Sequence, residues 1–94
     1  MIKNPKAKGA RNERRSMALL SAAGYAVTKS GGSLGCWDLV GISKSGFCVC
    51  QTKTGAWPGT VEMETLRNFQ VPPNCQRLVH RWMPRKKLPD VMDL

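Results

Sequence analysis

Apolar residues in the first quarter of the chain recur at helical spacing. From Lys8 to Ala23 the sequence is rich in Ala, Leu, Arg and Met, lacks proline and runs into Gly24, which suits a helix C-terminus. The 3–4 spacing of Ala10, Glu13, Met17, Leu20 and Gly24 predicts one buried stripe, with Arg11, Arg14 and Arg15 on other sides. Glu13 is the acid in that stripe. A carboxylate on the apolar side of a helix calls for a partner, because an unpaired buried charge is costly.

The period then shifts towards that of strands. "YAVTKS" (25–30) is β-prone and "GGSLG" (31–35) reads as a flexible loop. As a phosphate cradle that loop is weak, since it lacks a G-K-[ST] ending and no helix follows it. "CWDLVGIS" (36–43) and "FCVCQTK" (47–53) flank a short turn containing Gly46 and predict an antiparallel hairpin. "TGAWPGT" (54–60) is a loop, and "VEMETLRNF" (61–69) predicts a short helix with Thr60 as N-cap and early acids suited to the dipole. After "VPPN" breaks the chain, "CQRLVHRWM" (75–83) predicts a fourth strand, and residues 83–94 a basic, proline-bounded tail. Residues 1–7 read as a flexible basic arm. The α-β-β-β-α-β order predicts one α/β domain over 1–94 around a small mixed sheet.

Length narrows the reading. A chain of 94 residues buries only about two-thirds of its unfolded surface, so a partner subunit would help its core. The most apolar window, "MALLSAAGYAV" (17–27), is too short for a membrane span and too deep for a signal peptide, which makes a cytoplasmic protein the expectation. Charge says more. Fifteen Lys+Arg against six Asp+Glu give a net +9 and predict attraction to polyanions, nucleic acid above all. Anionic lipid fits less well, as no basic amphipathic segment with a large apolar face stands out. Any carboxylate chemistry must come from Glu13, Asp38, Glu62, Glu64, Asp90 and Asp93. Cys36, Cys48, Cys50 and Cys75 show no C-x-x-C spacing and read as small hydrophobes; a zinc site with His80 is the alternative.

Strand alternation puts Gln51 and Lys53 on one face and Cys48, Cys50 and Thr52 on the other. The hairpin brings Asp38 near Gln51 and Lys53, and an inward Glu13 can approach the same spot. Two carboxylates, a carbonyl oxygen and an ammonium suit a hard divalent cation and a phosphodiester. A buried salt bridge from Lys53 to Asp38 or Glu13 explains the same spacing, and both readings stand at this point.

"KGARNERR", "GYAVTKSGGS", "WDLVG" and "VCQTK", taken in order from about Lys8 to Lys53, resemble the PD-(D/E)xK nuclease superfamily. The resemblance is to archaeal-type Holliday junction resolvases and related small phage-encoded nucleases. It implies a restriction-endonuclease-like core and Mg²⁺- or Mn²⁺-dependent endonuclease activity on branched DNA, within DNA recombination and as a homodimer. It also implies that Asp38, Gln51 and Glu13 hold metal or its water, with Lys53 the catalytic lysine. Ser33 matches a serine in the family's mobile loop, against a plain turn hydroxyl. Lys29 falls where resolvases carry a basic residue near the scissile phosphate, against a solvated charge. Gln51 stands where the family has an acid, which leaves the site one negative charge short. DNA contacts are expected from Arg11, Arg14, Arg15, Arg81, Arg85, Lys86 and Lys87. Trp57 either stacks on bases or packs against the second helix.

Overall fold

The computed structural model describes residues 5–32 and 34–94, with side chains from residue 7 onward. Seven elements follow one another: α1 (Pro5–Ala22), β1 (Ala26–Lys29), β2 (Leu39–Ser43), β3 (Gly46–Thr54), α2 (Thr60–Asn68), β4 (Cys75–Trp82) and β5 (Asp90–Asp93). The strands form one sheet in the order β1-β2-β3-β4-β5, antiparallel except for the β3–β4 pair. Parallel neighbours need a crossover, and α2 supplies it. The mixed α/β architecture expected from the sequence is the one observed.

The α1 helix ends in a Schellman motif: Gly24 takes φ 103°, Tyr25 N–H donates to the Leu20 carbonyl and Gly24 N–H to that of Ser21. Its buried stripe matches the predicted one in part: Leu20 is buried and Met17 packs against the same core cluster, but Asn12 and Ser16, outside that stripe, are the other buried positions and make the inner face partly polar. Ser16 explains why. Its hydroxyl accepts from Trp82 Nε1 and meets His80 Nδ1, both at 2.8 Å, which ties α1 to β4. Arg15 stacks on Trp82, 3.9 Å from the ring centre, and Asn12 donates to Thr54 at 2.9 Å. The helix starts at Pro5, so residues 5–7 of the expected arm are helical and residues 1–4 lie outside the described residues.

Each face of the sheet has its own cluster. Leu20, Leu39, Cys48, Cys50 and Leu78 pack on the α1 side, while Trp37, Val49, Leu66 and Val79 pack on the other. Leu66 is fully buried and docks α2 onto the sheet. The N-cap of α2 is Gly59 with no side-chain cap bond, not Thr60, which already lies inside the helix. Arg77 closes the far end of α2 by donating to the Arg67 and Phe69 carbonyls.

The expectation of a tail is corrected. Residues 90–93 form a strand that pairs with β4, and Arg15 binds the Lys86 and Lys87 carbonyls (2.9 and 3.4 Å), holding the intervening loop against α1. No described helix is long and apolar enough to cross a membrane.

Candidate active site

Asp38 stands just before β2, opposite the part of β3 that runs past the end of β2. Its backbone N–H still bonds the Cys50 carbonyl at 3.0 Å, which fixes the residue at the strand's mouth. The carboxylate is held on one side only. Thr52 donates to Oδ2 through both its backbone N–H and its hydroxyl, each at 2.9 Å. One end of the Gln51 amide faces only acceptors, so that end is the NH₂: it donates to Asp38 Oδ2 at 3.1 Å and to the Cys36 carbonyl at 2.6 Å. All hydrogen bonds to this carboxylate among the described residues therefore land on Oδ2. Gln51 turns its nitrogen to Asp38 where a carbonyl oxygen was expected. The reason is electrostatic: two neighbouring acceptors need a donor between them.

Asp38 and Glu13 share the wall of a cleft of about 210 Å³, floored by the glycines of the 31–35 loop. Gly31, Gly32 and Gly35 have φ of 60°, 86° and 61°, a left-handed path that residues with a Cβ rarely follow. The loop is pinned where it ends: Ser30 N–H bonds the Asp38 carbonyl at 2.9 Å and the Ser30 hydroxyl bonds that of Trp37. Ser33 lies outside the described residues. Glu13 is partly buried, and its partner is Lys29 at 3.5 Å, on the same cleft. This is the partner that the inward carboxylate called for.

Lys53 is elsewhere. Its ammonium lies 2.8 Å from Glu62 at the start of α2, and it does not line the cleft. The expected salt bridge to Asp38 or Glu13 is thus not formed; Glu62 takes that place. Of the groups expected to converge, Glu13 and Asp38 share the cleft, Gln51 touches Asp38 through its nitrogen without lining the cleft, and Lys29, not Lys53, is the cation there. Glu62, one of the six acids the sequence offered, meets Lys53 from the first turn of α2 and lies outside the cleft lining. Among the described residues, no three His, Cys, Asp or Glu side chains form a metal-holding group.

The remaining chemistry-bearing side chains are structural. Cys75 packs in the cluster opposite that of Cys48 and Cys50, so the four-residue zinc alternative does not assemble. Burial pushes the Cys48 thiol up to about 11 and raises that of Cys50 further, which keeps both as thiols. Burial lowers the pKa of His80, which favours the neutral ring, and its Nδ1 shares a 2.8 Å hydrogen bond with the Ser16 hydroxyl that also accepts from Trp82.

The expected DNA-contact residues divide. Arg11 and Arg14 on α1 and Arg85, Lys86 and Lys87 in the 83–89 loop are exposed. Arg15 is engaged by Trp82, Asn12 and the loop carbonyls. Arg81 forms a two-pronged bond to Asp90 Oδ2 (3.1 and 2.7 Å) and lies over Trp57, 4.5 Å from the ring centre. Trp57 itself packs in the α2-side cluster, the burial alternative of the two stated for it.

The fold is the restriction-endonuclease-like α/β core. In particular, it is similar to that of Hjc, a Holliday junction resolvase from the archaeal hyperthermophile Archaeoglobus fulgidus, with a TM-score of 0.72 and 23% sequence identity. The alignment covers 92% of this chain and 72% of the other. No family model and no curated protein matches the sequence.

Proposed function

We propose that this protein is a metal-dependent endodeoxyribonuclease that hydrolyses phosphodiester bonds in branched DNA, in the manner of a Holliday junction resolvase. The observation that carries the reading is the pair of carboxylates, Glu13 and Asp38, on one small cleft of a resolvase-like fold. Mg²⁺ takes one or two carboxylates and completes its shell with water and substrate phosphate, so this oxygen donor set fits it, or Mn²⁺. When bound there, the metal supplies Lewis-acid activation of the phosphodiester and of water.

The chain's own residues do the rest. Thr52 and Gln51 fix the Asp38 carboxylate through Oδ2 on the wall of the cleft. Lys29 neutralises Glu13 in the free protein and is placed to accept a phosphate instead. Lys53 offers its ammonium to the charge that develops on the phosphoryl oxygens. Arg11, Arg14, Arg85, Lys86 and Lys87 bind the DNA backbone, which gives salt-sensitive affinity with little sequence preference. A second copy of the chain supplies the second cut.

One observation favours a second reading. Lys53 is paired with Glu62 outside the cleft lining, and Gln51 turns a donor, not an oxygen ligand, to Asp38, which suits a nucleic-acid-binding protein that kept the nuclease fold without its chemistry. Incubation of labelled four-way junction and linear duplex with Mg²⁺, Mn²⁺ or EDTA separates the two. Metal-dependent cutting of the junction supports the nuclease; tight binding without cutting in either metal supports the second reading.

A further inference from the structure

The Lys53–Glu62 ion pair has a setting that distinguishes it from a chance surface contact. Lys53 and Arg81 are register partners on adjacent strands, so two cations project side by side from one face of the sheet. Each is matched by an acid from a flanking element: Asp90 of β5 takes Arg81, and Glu62 of α2 takes Lys53. Glu62 is itself held. It lies one turn before Leu66, whose full burial fixes which face of α2 meets the sheet, and it sits in the first turn, where the helix dipole favours a carboxylate. Lys53 also lies two residues beyond Gln51 on the same face of β3, and the Gln51 amide reaches Asp38, so the ion pair follows the Asp38 corner along the strand.

We infer that Glu62 is a positioning residue for the nuclease site, which holds the Lys53 ammonium on the Gln51 face of β3 against repulsion from Arg81. This rests on the nuclease reading above. A lysine has four rotatable side-chain bonds and reaches many places. Anchoring its tip to an acid on a docked helix, with its root on the central strand, restricts it to a small region before substrate arrives. Glu62 lines no part of the cleft, so its influence runs through Lys53 and not through the metal.

The test compares wild type with Glu62→Gln, Glu62→Asp, Lys53→Met and the double variant Glu62→Gln/Lys53→Met, on a four-way junction in saturating Mg²⁺. Glu62→Gln should lower kcat by about 10–100-fold, the usual loss when an orienting partner is removed. Junction affinity and the Mg²⁺ half-saturation should stay put, Glu62→Asp should recover part of the rate, and Glu62→Gln should add no loss to Lys53→Met. An unchanged or raised kcat, or a shifted Mg²⁺ half-saturation in its place, overturns the inference. NMR of the lysine side chains reads the same contact without catalysis: the Lys53 terminus should be ordered in wild type and released in Glu62→Gln. A Lys53 as mobile as Lys86 and Lys87 in wild type overturns the positioning role. An ordered, Glu62-dependent Lys53 in a protein that cuts no junction supports that role and overturns the nuclease reading instead.

Discussion

The Asp38 carboxylate is shaped by what surrounds Oδ2. Three donors, from the Thr52 backbone, the Thr52 hydroxyl and the Gln51 amide, converge on one oxygen. A charged acceptor with several hydrogen bonds is well fixed without any metal. This makes the glutamine informative. Gln51→Glu would set a second carboxylate against Asp38 Oδ2 and the Cys36 carbonyl, and we expect it to destabilise the protein in EDTA by about 1–3 kcal/mol. Divalent metal should restore much of that loss, because a cation relieves the repulsion. Chemical denaturation of both proteins with EDTA and with Mg²⁺ measures it; equal stability in EDTA would remove the donor role assigned to Gln51. At this scale the sequence was half legible. Spacing brought Asp38 and Gln51 together, but which end of an amide faces a carboxylate depends on a third group, here the Cys36 carbonyl, that no periodicity reveals.

Elements are held to the sheet by a few buried contacts, and two of them give predictions. The first is Ser16, which joins α1 to β4 through His80 and Trp82. Ser16→Ala leaves a buried indole N–H and a ring nitrogen without their partner, at an expected cost of about 2–4 kcal/mol. A thermal melt reports it. The same contact gives a pH dependence. Folded His80 has a lowered pKa, so as pH falls below the ordinary value of 6.5 the unfolded chain takes up a proton that the folded chain refuses. Stability from this group is therefore complete above that value and declines as pH drops through it. Denaturation midpoints across that range should show the decline in wild type, and His80→Gln should abolish it.

The second is Leu66, whose side chain seats α2 among Trp37, Val49 and Val79. Leu66→Ala should cost about 2–5 kcal/mol, again read as a shift in the denaturation midpoint. The first helix was legible from its proline-free, Ala- and Leu-rich run and its Gly24 stop, and the hairpin and fourth strand from their β-prone apolar runs. The burial of Asn12 and Ser16 on α1 was not, since these polar residues are satisfied only by partners far along the chain. Nor was β5, four residues with an acid at each end, which alternates correctly but has the composition of a loop. Edge strands are commonly short and charged, which guards against pairing with other sheets and hides them from sequence patterns.

For the whole molecule, charge dominates. Eight of the fifteen Lys and Arg lie on α1 and the 83–89 loop, and Arg15 joins those regions by binding the loop carbonyls. Single changes at Arg14 or Lys86 should weaken DNA binding across sequences and reduce the salt slope by about one. Arg15→Met should do more, because it frees the loop that carries Arg85, Lys86 and Lys87; binding titrations at several salt concentrations show which. The basic character was visible in composition alone. That Arg15 and Arg81 serve the fold was not, as their partners Trp82 and Asp90 lie well away from them in sequence or in an element the sequence hid.

The central claim is that Asp38, with Glu13 beside it, forms a metal-dependent phosphodiesterase site. Single-turnover cleavage of a labelled four-way junction by wild type and by Asp38→Asn, each with Mg²⁺ and with EDTA, tests it most directly. The account predicts cutting by wild type in Mg²⁺ and none in EDTA, with Asp38→Asn binding the junction but leaving it intact. A junction that Asp38→Asn cuts at the wild-type rate, or that wild type binds and never cuts, would contradict it.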